Sequence, residues 1–183
     1  MNWQPTLTGS SLQLRPLVEE DFDALYAAAS DPFIWEQHPD RERYTLDRFR
    51  MYFRSGMDTK GALVVCDGKT GQVIGSSRFT NHDSEKSYVL VGFTFLTREN
   101  WGGERNLELK TLMLNYAFQF VEAVYFLVGK ANLRSQRAMA KIGGRIVTDL
   151  KPAVAGDLVF KINKSDWDQR SANSQVFMDR LSP

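Results

Sequence analysis

The sequence has 183 residues, of which 43% are hydrophobic and 25% charged, and its formal net charge is +1. This is ordinary globular composition, and the length suits one well-buried core, so a single domain over residues 1–183 is expected. A net charge near zero argues against a nucleic-acid partner, and a single cysteine excludes a disulfide framework. No apolar run approaches the ~20 residues of a membrane span, which argues against a membrane partner. Together these features indicate a cytoplasmic protein.

Strand and helix patterns alternate in the first half of the chain. Apolar and β-branched runs predict strands, and apolar residues spaced three or four apart predict helices. Thr45 is the expected cap of the second helix, and an Asp-Gly-Lys-Thr-Gly segment predicts a hairpin turn. In chain order, the predicted elements are a strand at 11–16, a helix at 19–29, a loop through 33–39, a helix near 45–57, and strands at 62–67 and 73–80.

The second half contains longer elements. Residues 87–96 are β-branched and aromatic, which is typical of a buried strand. Asn132 suits the N-cap of a later helix, and Gly143-Gly144 suits its C-terminal stop. After the strand at 87–96, the predicted elements are a helix at 107–121, a strand at 124–129, a helix between 132 and 144, a strand at 157–162 and a C-terminal helix at about 165–181.

The segment Trp-Gly-Gly-Glu-Arg-Asn at residues 101–106 lies between the long strand and the following helix. A strand that turns through paired glycines into a helix directs free N–H groups and the positive end of the helix dipole at one point, which suits a phosphate. The alternative is a plain turn whose glycines supply positive φ. The segment lacks both the Gly-Lys-Ser/Thr ending and the G-x-G-x-x-G pattern of nucleotide loops, so it favours a pyrophosphate held by backbone groups without a metal ion.

A basic stripe follows on the next predicted helix. Arg134, Arg137 and Lys141 fall on one side of that helix, given about 3.6 residues per turn. Three cations in this arrangement could receive a phosphorylated ligand. A solvated basic face is the alternative.

Taken together, these segments resemble a known enzyme family. The similarity lies in the order of a strand, a W-G-G-x-x-N loop, a helix, a strand and the pattern N-x-R-S-Q-R-A-x-x-K-I-G. In this order the chain resembles the acetyl-CoA-dependent N-acetyltransferases of the GNAT superfamily, and most closely the branch with the ribosomal-protein N-terminal acetyltransferases. The resemblance covers roughly residues 12–162. It implies an α/β GNAT fold, with a mixed, mostly antiparallel sheet of six to seven strands, a splayed central parallel pair and helices on both faces. The core would span about 11–163.

The resemblance also implies a site for acetyl-CoA as co-substrate, without a metal ion. Phe95, Leu96 and Thr97 would bond the pantetheine amides through backbone groups, and an N–H near Leu96 would polarise the thioester carbonyl. Asn132 would contact the cofactor arm. The residues expected at the pyrophosphate and the other phosphates are Gly102, Gly103, Glu104, Arg105, Asn106, Arg134 and Arg137.

The sequence departs from the family pattern at three positions. Glu104 stands where a glycine is expected, Leu90 where a glutamate is often the general base, and Met139 where a tyrosine is often the general acid. Ser135 is then the best candidate to protonate or bond the departing sulfur, and a serine that caps the helix backbone is the alternative. The candidates for the base are Tyr88, His38, Glu99 or solvent through a chain of waters.

The loop after the first helix commonly forms a wall of the acceptor pocket in this family. Trp35, His38 and Tyr44 lie there, and His38 is expected to titrate near neutrality. A packing role for Trp35 and a plain loop position for His38 are the alternatives. Two functions follow from the resemblance: an active N-acetyltransferase for a small amine or a protein α-amine, as a monomer or homodimer, or a catalytically degenerate CoA-binding sensor or scaffold.

Overall fold

The computed structural model describes residues 1–152 and 154–181, with side chains as far as residue 173. Strands and helices alternate through this part of the chain. The strands are β1 (Leu7–Thr8), β2 (Leu12–Pro16), β3 (Ala62–Asp67), β4 (Val73–Asp83), β5 (Tyr88–Leu96), β6 (Ala123–Val128), β7 (Arg145–Val147) and β8 (Leu158–Asn163). The α-helices are α1 (Phe22–Ala29), α2 (Leu46–Thr59), α3 (Glu104–Ala117), α4 (Leu133–Lys141) and α5 (Lys164–Leu181).

These strands form one mixed sheet in the order β1-β2-β3-β4-β5-β6-β8-β7. Each neighbouring pair is antiparallel except β5 and β6, which are parallel. The predicted α/β fold with a central parallel pair is thus confirmed. Within the described residues, the sheet has eight strands rather than the predicted six to seven. The difference arises because β1 and β7 contain only two and three residues, too few to show a periodic pattern.

The parallel pair separates after a short paired segment. Only residues 88–90 of β5 pair with residues 123–125 of β6. The pairing of β5 with β4 then shifts register, and Phe93 has a φ of 53°. Such a bulge bends the strand and reverses the alternation of its side chains. The space between the diverging parts of β5 and β6 is called the wedge below.

Helices cover both faces of the sheet. Met113 of α3 and Met139 of α4 pack with Val91 of β5 in one core cluster. Leu25 of α1 and Phe49 of α2 belong to a second cluster on the other face. The wedge is therefore flanked by α3 and α4 on one face and by α1 and α2 on the other.

Some predicted boundaries differ in detail. α3 begins at Glu104 rather than at residue 107, because Gly103 is its N-cap and the polar first turn has no apolar stripe. Thr45 occupies the N-cap of α2, but its hydroxyl donates to the carbonyl of Glu42 at 2.8 Å instead of capping the helix. Within the described ranges, no helix combines the length and apolar character needed to cross a membrane.

Candidate active site

The glycine loop, residues 101–106, connects the end of β5 with α3. Gly102 has a φ of 71°, which favours glycine strongly. Gly103 has a φ of −96°, which any residue can adopt, and a Cβ there would meet no atom within 4 Å. No described side chain caps α3. The N–H groups of its first turn are therefore free to bind an anion.

Arg105 holds this loop rather than extending into solvent. Its Nη2 lies 2.6 Å from Oδ2 of Asp67, and its Nη1 donates to Oδ1 of the buried Asn100 at 2.7 Å. Backbone N–H donation from Thr70, together with Arg105, keeps the pKa of Asp67 well below its usual range. The Arg105 side chain therefore anchors α3 to the β3–β4 hairpin. Its predicted contact with a phosphate would then be made by its backbone N–H.

The backbone at the end of β5 is already partly hydrogen-bonded. The carbonyl of Leu96 accepts the indole N–H of Trp101 at 2.8 Å. The N–H of Thr97 donates to Ile74 at 2.9 Å, and its carbonyl accepts from Asn100 at 2.9 Å. The N–H of Thr97 is therefore used within the protein, whereas its carbonyl can still accept a second hydrogen bond, and its pantetheine role stays a prediction.

The start of α4 has the predicted cap. Oδ1 of Asn132 accepts the N–H of Ser135 at 3.0 Å. Within the described residues, Nδ2 of Asn132 and the hydroxyl of Ser135 form no hydrogen bond. Asn132 thus performs the capping, and the Ser135 hydroxyl remains available to a ligand.

One residue of the basic stripe reaches the glycine loop. The guanidinium of Arg134 lies 3.7 Å from the centroid of the Trp101 ring, and its backbone N–H donates to Oε1 of Gln37 at 3.2 Å. Arg137 and Lys141 are exposed. The stripe is therefore split, with Arg134 alone at the open end of the wedge.

A buried lysine that is absent from the predicted site lies between the two diverging strands. Lys110 of α3 is 4% exposed, and its Nζ is 2.7 Å from Oγ1 of Thr94 and 5.4 Å from the centroid of the Phe126 ring. Burial lowers its pKa to about 7. The sequence does contain an indication, because Lys110 is spaced three and four residues from the core residues Met113 and Leu114.

His38 differs from the expectation of near-neutral titration. Burial, and then the nearby charge of Arg43, lower its pKa to about 4. Its Nδ1 accepts the N–H of Asp40 at 2.9 Å, and its Nε2 lies 3.3 Å from Nη1 of Arg43. The carbonyl of Asp40 also lies 3.2 Å from Nδ1. Because burial and the charge of Arg43 disfavour the imidazolium form, His38 is a weak proton acceptor at neutral pH.

The other two acceptor-loop residues are mainly structural. Trp35 is 2% exposed, donates its indole N–H to Ala29 at 2.8 Å and packs against Phe95. Tyr44 is partly buried against the same core cluster. Trp35 therefore packs as a core anchor, which is the alternative role expected from its sequence position.

The remaining base candidates are Tyr88 and Glu99. Tyr88 pairs with Ala123 at the closed end of the wedge, roughly 16 Å along the strand from Phe93 at ~3.3 Å per residue. Its ring packs against Tyr125 at 5.2 Å. Glu99 lies in the short turn after β5, where the Thr97 hydroxyl lowers its pKa. Among the described residues, no hydrogen bond joins the Ser135 side chain to a candidate base.

A cleft opens beside the bulge of β5, on the face that carries α2. It has a volume of about 200 Å³, and we call it the arginine cleft. The hydroxyl of Tyr52 donates to the carbonyl of Phe93 at 2.8 Å, which helps to hold Phe93 at positive φ. The residues that line the cleft are Asp40, Arg43, Arg48, Met51, Tyr52, Ser55 and Phe93.

Comparison with known proteins identifies the family of this arrangement. The sequence matches the family model described as acetyltransferase (GNAT) domain over residues 11–145. A comparison with curated proteins found no match.

The fold is similar to several solved acetyltransferase structures. With a GCN5-related N-acetyltransferase from Brucella melitensis, the TM-score is 0.80 at 19% identity, over 98% of this chain and 86% of that one. With a GNAT-family acetyltransferase from Bacillus anthracis, the TM-score is 0.72 at 18% identity, over 88% and 99% of the two chains. With Mycobacterium smegmatis RimJ, solved in complex with CoA-disulfide, it is 0.71 at 16% identity, over 98% and 97%. The TM-scores show a shared fold, and at these low identities the comparison shows no more than that.

Proposed function

The chain belongs to the GNAT acetyltransferase family, and from this premise we propose that it transfers an acetyl group from acetyl-CoA to a primary amine. The amine, on a small molecule or a protein N-terminus, would attack directly in a ternary complex. The observation that carries the proposal is the position of two helix starts. Because β5 and β6 are parallel, α3 and α4 both begin at the edge of the sheet where the wedge opens.

Several groups at this edge suit the co-substrate. The free N–H groups at the start of α3 and the guanidinium of Arg134 suit its phosphates. Nδ2 of Asn132 suits an amide of the pantetheine arm, which would lie in the wedge. The N–H of Leu96 remains the proposed donor to the thioester carbonyl.

The proposed chemistry assigns few roles to side chains. The amine nitrogen forms a bond with the thioester carbonyl carbon, the carbon–sulfur bond breaks, the amine loses a proton and the sulfur gains one. The hydroxyl of Ser135, free of protein partners in the described residues, would donate to the sulfur. The amine proton would leave through water, since Leu90 replaces the usual glutamate and His38 is a weak base.

A second candidate function rests on two positions where the sequence departs from the family pattern. Leu90 and Met139, at positions where relatives often hold the base and the acid, are 7% and 4% exposed and form part of the core. A GNAT-like protein that binds CoA as a sensor or scaffold, without turnover, would fit these side chains.

Thiol release from acetyl-CoA separates the two functions. The purified protein is incubated with acetyl-CoA and a panel of amines and N-terminal peptides, and its melting temperature is measured with acetyl-CoA, CoA and free acetate. The proposal expects turnover with at least one acceptor and a stabilisation by acetyl-CoA that acetate does not produce. Stabilisation without turnover would favour the sensor, and no stabilisation at millimolar acetyl-CoA would contradict both. A cytoplasmic location and a monomeric or homodimeric state remain predictions.

A further inference from the structure

The arginine cleft contains more positive charge than its carboxylate offsets. Arg43 and Arg48 line the cleft, and Arg78 lies beneath it with its guanidinium 4.4 Å from the centroid of the Tyr52 ring. Among the described residues that line the cleft, Asp40 is the one carboxylate, and its Oδ2 lies 3.5 Å from Nε of Arg43. Oε2 of Glu42, which does not line the cleft, lies 3.9 Å from Nε of Arg48. Three guanidinium groups against two carboxylates leave the cleft with a net positive charge.

One of these guanidinium groups also has an unused donor. Nε of Arg78 is buried without a hydrogen-bond partner among the described residues, whereas Nε of Arg43 is ion-paired with Asp40 at 3.5 Å. Arg78 is 1% exposed and uses Nη1 for Oγ of Ser55 at 3.1 Å. Buried cationic donors without acceptors are costly, and a guanidinium pairs best with a planar or tetrahedral oxyanion.

The phosphates of acetyl-CoA do not account for this charge. Their proposed site lies at the starts of α3 and α4, whose core residues pack on one face of the sheet. The arginine cleft lies on the opposite face, where α2 packs, and it reaches the wedge at Phe93. In an acyl transfer across the wedge, an acceptor on this side would face the thioester from the side opposite the proposed phosphate site.

Resting on the proposed function, we propose that the arginine cleft selects an acceptor whose amine lies close to an anionic group of the same molecule. Arg43 and Arg48 bind that group, a carboxylate or a phosphate, while the amine reaches the wedge beside Phe93. The volume of about 200 Å³ admits an amino acid or the first residues of a peptide.

The same charge has a chemical consequence for the amine. Neighbouring guanidinium groups disfavour a protonated amine, because like charges raise the free energy of the ammonium form. The bound anion offsets part of this repulsion and retains the acceptor. The cleft thus assists deprotonation in a site where Leu90 stands in place of a carboxylate base.

Matched acceptors test the inference. Each set contains a free amino acid, its amide and the amine that lacks the carboxyl group, and a peptide set places Asp, Gln or Lys after an N-terminal Ala. The carboxylate-bearing member should have a kcat/KM about tenfold or more above its neutral partner, as charge-assisted bonding implies. Comparison of the two kinds of set distinguishes free amino acids from peptides with an acidic second residue.

Three variants make the test specific to the cleft. Arg43→Gln and Arg48→Gln should reduce this preference, whereas Arg54→Gln, an exposed position on α2 outside the cleft, should retain it. Arg43 packs over the rings of Trp35 and Tyr52, so its replacement can disturb folding. Arg48 is largely exposed, and Arg48→Gln alone then decides the result.

Each outcome separates the inference from the proposed function. Values of kcat/KM within about twofold across every set, or a carboxylate preference that both variants keep, would overturn the inference and leave acetyl transfer intact. If both variants raise the KM of acetyl-CoA and leave the acceptor preference unchanged, the cleft binds the co-substrate, and the inference is overturned. If no acceptor turns over, but carboxylate-bearing amines raise the melting temperature of the wild type and not of Arg48→Gln, the proposed function fails and the specificity of the cleft stands.

Discussion

The guanidinium of Arg134 lies against the indole of Trp101, 3.7 Å from its ring centroid, and this contact joins the two segments that leave the wedge. Trp101 follows β5, and Arg134 lies in the first turn of α4 after β6. The same indole donates to the carbonyl of Leu96 at 2.8 Å. A ligand arm that enters the wedge at this edge therefore passes beside the pair.

Removal of the Arg134 charge should weaken co-substrate binding. We expect Arg134→Gln to raise the KM and Kd of acetyl-CoA about tenfold, because a charge-assisted hydrogen bond to phosphate contributes about 1.5–3 kcal/mol. The kcat should change little. Steady-state kinetics and calorimetric titration with CoA measure these constants. Lys130→Gln, which removes an exposed charge just before α4, is the matched control. Unchanged affinity in a folded Arg134→Gln protein would restrict Arg134 to holding Trp101.

The structure sharpens the role of Gly103. Its φ and the open space around it do not require glycine, so the apo fold gives no reason for glycine at this position. We expect Gly103→Val to weaken acetyl-CoA binding at least about tenfold, because a Cβ obstructs close approach of a pyrophosphate to the backbone. The loss of stability should be about 1 kcal/mol, since valine is a poor N-cap.

Gly103→Ser controls for the cap. Serine is a favourable N-cap, so this variant should keep its melting temperature while it still binds acetyl-CoA more weakly than wild type. If both variants bind with wild-type affinity, the phosphates lie elsewhere.

The cofactor side of the site was largely predictable because it depends on local chemistry. The side chain of Asn132 accepts the N–H of Ser135, and Gly102 adopts positive φ. Short patterns were therefore sufficient to predict the start of α4 and to place that of α3 within three residues. The bulge at Phe93 was not predictable in this way. A phenylalanine gives no local preference for positive φ, and packing by Arg78 and Tyr52 from distant segments holds it there.

The acceptor side depends on contacts between distant segments. Arg43 and Arg78 are separated in sequence by the whole of α2 and β3, and their guanidinium groups meet at the ring of Tyr52 only when α2 packs on the sheet. The expectation that His38 titrates near neutrality differs from the structure for the same reason, because burial and the charge of Arg43 lower its pKa. A single sequence shows the residue types in these loops but not which charges become neighbours.

A catalytic role for Ser135 predicts a loss of rate without a loss of stability. If its hydroxyl donates to the departing sulfur, Ser135→Ala should lower kcat about 10²–10⁴-fold and leave the Kd of acetyl-CoA nearly unchanged. The melting temperature should stay near that of wild type, because Asn132 rather than Ser135 caps α4. Asn132→Ala is the contrasting variant and should lose about 1 kcal/mol of stability. Full turnover by folded Ser135→Ala would show that the sulfur takes its proton from another source.

The buried amine of Lys110 predicts a pH dependence of folding stability. Its pKa is lowered to about 7 in the folded protein, against 10.5 as the reference value, so between these values the unfolded chain binds one more proton. The free energy of unfolding should therefore increase with pH by roughly 1.4 kcal/mol per unit from this group, whereas below pH 7 the full cost of burying the charge is present. Lys110→Met keeps the length and apolar stem of the side chain and removes the amine. We expect the difference in free energy of unfolding between Lys110→Met and wild type to be largest near pH 6.5 and to shrink steadily towards pH 9, as measured by urea denaturation at each pH. A constant difference across that range would mean that Lys110 is not preferentially neutral in the folded protein, and the wedge would then hold an ammonium ion beside Thr94.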